Sequence, residues 1–178
     1  MRVVKSFVVT AALVASVAAH ATAQCTAAGS PANCGQPGSV SVIAGRVVRL
    51  QMSAGSTSLT QPTTSDFDAG FNATTGPTLT VSANAAWTLH IRAASAVWTA
   101  TNTAPGVAAR VNKPAGDLKW STASAGTFSA LSASDATLVS GSATASNATT
   151  LYFQTLYDWA LDTPGSYSLS IVLTLTSP

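Results

Sequence analysis

The stretch Asp162-Thr163-Pro164-Gly165-Ser166-Tyr167-Ser168-Leu169-Ser170-Ile171-Val172-Leu173-Thr174-Leu175-Thr176 decides the fold class. Tyr167, Leu169, Ile171, Leu173 and Leu175 recur at every second position, while Ser166, Ser168, Ser170, Thr174 and Thr176 occupy the alternate ones. Val172 is the one apolar residue on the polar side. A period of two is the repeat of a strand with one buried face. Pro164 and Gly165 ahead of it supply the fixed and the permissive φ of a turn.

Working outward, the same alternation marks Arg46 to Met52, with Val48, Leu50 and Met52 inward. It also marks Thr78 to Ser82, with Leu79 and Val81 inward, and Trp87 to Ala93, with Trp87, Leu89 and Ile91 opposite Thr88, His90 and Arg92. Shorter runs lie at Val40 to Ile43, Ala96 to Thr99, Leu118 to Ser121, Phe128 to Leu131 and Ala136 to Ser140, and a longer one at Leu151 to Tyr157. Clusters of Gly, Ser, Thr, Asn and Pro separate them, and Ser140 to Thr150 reads as a long exposed loop. No amphipathic window long enough for a helix stands out. About nine or ten short strands predict an all-β protein, an antiparallel two-sheet β-sandwich.

Ahead of this domain, Met1 to Ala23 combines Arg2 and Lys5, an apolar run from Phe7 to Ala19, and Ala21-Thr22-Ala23. That is the pattern of a signal peptide cleaved before Gln24, and the run is too short for a membrane span. The expected organisation is a signal peptide over 1–23, an N-terminal arm over 24–38 and a sandwich domain over 39–178. Cys25 and Cys34 are the only cysteines. In an oxidising compartment the default reading is a disulfide closing the arm, contributing roughly 2.5–3 kcal/mol.

Of the 178 residues, 8% are charged and none is glutamate. Removing the signal takes Arg2 and Lys5 and leaves six basic residues against six aspartates, a net charge of zero. A neutral chain with scattered charges has no electrostatic footprint for nucleic acid or an anionic membrane. Neither nucleic acid nor membrane insertion after cleavage is expected.

Catalytic chemistry finds few agents. His90 is the single histidine after the signal, with Arg92 as its neighbour on the same strand face, where a cation disfavours imidazolium. No G-x-S-x-G elbow accompanies the serines. Asp158 and Asp162 flank Trp159 in a composition seen at sugar sites, but read more simply as solvated charges beside a buried tryptophan. Asp66-Phe67-Asp68-Ala69-Gly70-Phe71-Asn72 spaces oxygen ligands at alternate positions, yet a calcium loop needs a terminal glutamate the chain lacks. The segment is expected as a strand burying Phe67, Ala69 and Phe71. No catalytic residue, metal ligand or cofactor is therefore assigned.

Trp87, Trp120 and Tyr167 carry inward parity and are expected in the core, whereas Trp98 and Trp159 have mixed cues and are the candidates for stacking on sugar rings. The Pro164-Gly165-Ser166-Tyr167 entry into the final strand resembles the closing strand of bacterial secreted Ig-like proteins of the spore-coat-U and pilin-type kind. The resemblance covers about fifteen residues and implies an Ig-like or pilin-like sandwich outside the cell, in which each subunit completes its sandwich with a strand from a neighbour. The chain departs from pilins in lacking a penultimate tyrosine and in the close spacing of its cysteines.

These readings converge on an exported, non-enzymatic structural or adhesive surface module, a fibre or coat subunit. If it assembles, the expected partners are neighbouring subunits and the natural donor strand is the Gln24 to Ile43 arm, its Val40 and Val42 inserting beside an open edge strand. A carbohydrate-binding module using exposed tryptophans on glycans is the alternative.

Overall fold

The computed structural model describes residues 27–30, 34 and 39–178. The expected signal peptide over 1–23 and most of the expected arm, Cys25 included, lie outside the described residues. Packing divides the chain into Met1–Ile43 and Ala44–Pro178. In the first unit the described residues are irregular, and Val40 and Val42 are 101% and 90% exposed.

The second unit is mostly antiparallel β. It runs β1 (Val48–Met52), α1 (Thr64–Ala69), β2 (Phe71–Ala83), β3 (Trp87–Ala93), β4 (Thr99–Thr101), β5 (Leu118–Ser121), β6 (Ser129–Ala130), β7 (Ala136–Gly141), β8 (Thr144–Leu156), β9 (Ser166–Ser168) and β10 (Ile171–Thr176). One sheet has the order β1-β2-β8-β5-β6, a second β10-β3-β7, and β4 pairs with β9. Leu79 and Val81 of β2, Leu151 and Phe153 of β8 and Leu118 and Trp120 of β5 meet Trp87, Leu89, Ile91 and Ala93 of β3 in one buried cluster. Each of these sets alternates along its strand, so pleating alone delivers the side chains to one face.

Several segments differ from the expectation, beginning with Val40 to Ile43, which is irregular instead of strand. Ser140 to Thr150 is largely strand, because β8 begins at Thr144 and pairs with β2 from Ala83↔Thr144 to Phe71↔Leu156. Small side chains such as Ala145, Asn147 and Ala148 are exposed there and give no alternation. The ladder to β2 imposes the strand. The C-terminal run is broken at Leu169-Ser170, since β9 pairs with β4 while β10 pairs with β3. The side-chain period continues through the break and hides the change of partner. The Ala96 to Thr99 run is likewise displaced, Val97 making an isolated bridge to Pro114 and the strand beginning only at Thr99.

Asp66 to Ala69 is helix rather than strand, and Phe71, expected inward, is 41% exposed at the start of β2. The cause is local. Asp66 sits three residues after Thr63 and its Oδ2 accepts the Thr63 N–H and hydroxyl, both at 2.7 Å. Gly70 then takes a left-handed φ of 76° and ends the turn, donating its N–H to Phe67 O. The Thr-x-x-Asp spacing is a helix-start signal that the apolar alternation masks.

These bonds from Thr63 hold the Asp66 carboxyl below the ordinary 3.8. A depressed folded value means the cap's contribution is complete above the ordinary pKa and is lost as pH falls through the lowered one. The Thr63 amide resonance should titrate with a midpoint below 3.8, and Asp66→Asn should remove that titration. In the core, Leu89→Ala should destabilise by about 2–5 kcal/mol in urea unfolding, while the same change at the exposed Val111 should cost far less.

Candidate functional site

The most distinctive surface feature is an apolar groove on one flank of the Ala44–Pro178 unit, with a cavity volume of about 750 Å³. Leu50 and Met52 of β1, Leu59 of the following loop, Leu169, and Ile171 and Leu173 of β10 line it, over a floor that includes Trp98, Leu151 and Phe153. These residues reach the surface because β1 and β10 are outer strands of their sheets, each paired on one side only among the described residues. Val47 accepts the Asn84 N–H, and Ser53 donates its own N–H to Thr78 O, so odd-numbered residues of this segment direct their backbone toward β2. By alternation, the backbone N–H and C=O of Val48, Leu50 and Met52 face the open edge. The groove therefore offers apolar surface and, among the described residues, an unpaired strand edge.

A second feature lies around the Asp162 turn. Lys113 is 2% exposed, and its Nζ stands 2.8 Å from Asp162 Oδ1, 3.3 Å from Asp117 Oδ2 and 2.8 Å from the Leu156 carbonyl. Arg110 Nη1 bridges the same carboxylates at 3.1 Å and 3.4 Å. Two cations and two anions thus close on each other, which is how a buried charge set avoids an uncompensated desolvation cost. Tyr167 adds to the tie: its hydroxyl accepts the Arg110 N–H at 3.0 Å and donates to Thr163 O at 2.6 Å. Gly165 admits this packing, because a Cβ there would stand 2.6 Å from that of Ala109. The cluster fastens the loop after β4 to the turn before β9. Asp162 is thus a buried anchor and not a solvated charge.

Beside it, Phe67 packs against Tyr157 and Trp159, with ring centroids 5.3 Å and 4.6 Å apart. Burial, and then the charges of Asp162 and Asp66, push the Tyr157 hydroxyl above its usual pKa, so it stays protonated through neutral pH. Trp159 is 61% exposed rather than buried, and its Nε1–H donates to Asp68 Oδ1 at 3.1 Å. The oxygens of the Asp66 to Asn72 segment are thereby put to different uses, Asp66 on Thr63 and Asp68 on Trp159.

The two tryptophans considered for sugar stacking part company. Trp98 is 4% exposed, its ring in the core and its Nε1–H on Pro114 O at 3.1 Å. It offers no open face, because the bridge between Val97 and Pro114 turns it inward. Trp159 keeps its exposure alone, so the paired platform does not form. His90, half-buried on β3, lies opposite Thr174 of β10 and Thr137 of β7. Among the described residues no three His, Cys, Asp or Glu side chains gather as metal ligands. Cys34 is exposed, and its expected partner Cys25 falls outside the described residues. The groove and the Lys113 cluster were not read from the sequence. Lys113 and Asp162 are 49 residues apart, and nothing local marks them as partners.

Asp162→Ala should leave Lys113 buried with half its compensation gone and destabilise by about 3–5 kcal/mol. Asp135→Ala, at the exposed Arg92 pair, should cost under about 1 kcal/mol in the same denaturant series. Compared with known proteins, the chain matches no family model and no curated protein.

Proposed function

We propose that this protein is an exported, non-enzymatic structural subunit of a surface or extracellular assembly, an Ig-like two-sheet sandwich whose open groove receives a strand from a neighbouring copy. The observation that carries the reading is the groove between β1 and β10, whose apolar lining and free strand edge are what an added strand requires. Val40 and Val42 supply a matching element. They alternate with Ser39 and Ser41 and are fully exposed. Burying each valine is worth about 1.5–3 kcal/mol, and the strand edge gains backbone hydrogen bonds besides.

The Ig-like assignment is supported by Tyr167, whose hydroxyl returns to the backbone four residues upstream as in the tyrosine corner of such sandwiches. Export rests on the Met1 to Ala23 pattern, and a Cys25–Cys34 bridge would suit that compartment. Surface placement fits a mature chain of zero net charge that meets its partners through neutral contacts.

Deleting Gln24 to Ala44 from the mature protein should abolish higher-order species on a sizing column with light scattering. Ile171→Asp, which places a charge in the groove, should do the same while leaving the arm intact. Assembly that survives both changes, or a parent protein that is monomeric at high concentration, defeats the reading.

A further inference from the structure

Asn84, in the turn between β2 and β3, binds the chain just ahead of β1 in three places. Its Oδ1 accepts the Val47 N–H at 2.8 Å, its backbone N–H donates to Val47 O at 3.2 Å, and its Nδ2 donates to Gly45 O at 2.8 Å. Val47 thus prolongs the β1–β2 ladder by one residue, and Gly45 is pinned beside it. None of Ala44, Gly45, Arg46 and Val47 has a positive φ. Nor is any of residues 41–47 in a turn or bend, so the segment carries no reversal.

On the donor-strand reading, Val40 and Val42 have two grooves to choose from, that of their own chain and that of a second copy. In the first choice the register with the valines inward on the open edge of β1 and the shortest loop sets Val42 opposite Val48 and Val40 opposite Leu50, which leaves Ala44-Gly45-Arg46 as a three-residue hairpin loop; a slip of two residues along β1 keeps Gly45 within the loop. Such loops take a left-handed residue at their last position and carry Gly45 to the tip. Gly45 cannot sit at a loop tip and stay on the Asn84 amide.

We propose that Asn84 is a positioning residue that commits the arm to a second copy of the chain, by holding Gly45 in line with β1 and so denying the arm its own groove. This rests on the donor-strand reading and adds the identity of the acceptor. Asparagine suits the task because one planar amide offers the acceptor for Val47 and the donor for Gly45 together.

The test uses the full mature chain. Asn84→Asp keeps the acceptor for Val47 and the backbone bond but removes the donor to Gly45, so the fold persists while the pin is lost. Light scattering at matched concentration should show at least a severalfold shift from assembly to monomer. In that monomer the amides of Val48, Leu50 and Met52 should exchange slowly, because the chain's own arm now covers them. Arg46→Gly, which supplies the left-handed position with Asn84 intact, should shift the balance the same way. If arm deletion dissolves the assembly but both variants assemble as the parent does, the role of Asn84 is overturned and the donor-strand reading stands. If arm deletion leaves the assembly intact, both fall.

Discussion

The packing of Trp87, Leu89 and Ile91 on β3 against Leu79, Val81 and Leu151 from the other sheet is the contact on which the rest depends. These six are the largest fully buried side chains among the described residues. β3 is paired on both edges, by β10 and β7, so its position is over-determined by hydrogen bonds and burial together. Everything peripheral is arranged around that pair of faces. β1 and β10 end their sheets on the same flank, and the apolar surface they leave uncovered is the groove.

Charge is used with similar economy. Arg110, Lys113, Asp117 and Asp162 are a third of the twelve charged residues that follow Ala23, and they pair with one another in a largely buried cluster. The exterior is left with still fewer charges than the composition suggests. Such a cluster fixes loop geometry more than it adds stability, because desolvation offsets much of the attraction. Its position beneath Tyr167 holds the turn that delivers the chain to β9 and then to the groove wall at Leu169 and Ile171. The groove and the cluster are therefore mechanically linked through one turn.

Strands with a strong period were legible from the sequence: Trp87 to Ala93 and Leu118 to Ser121 form strands over those same residues, with the inward side chains buried. Where side chains are small, as at Ala145 to Ala148, the period vanishes and only pairing with β2 makes a strand. At Asp66 a three-residue side-chain to backbone contact outweighed an apolar alternation. The candidate site was the least legible part. Leu50 and Ile171 were expected as ordinary inward residues, and the sequence carries no mark that the strands bearing them end their sheets.

What the sequence alone determined is the class of structure: alternation, turn residues and the lack of long amphipathic windows leave an antiparallel β domain, because burial on a pleated face is a property of neighbouring residues. What only the tertiary structure decided is which strands lie at the edges, that Trp98 turns inward, and that Lys113 meets Asp162. Those outcomes depend on which distant segments pair, a choice made by the sum of many long-range contacts and written in no single stretch of chain.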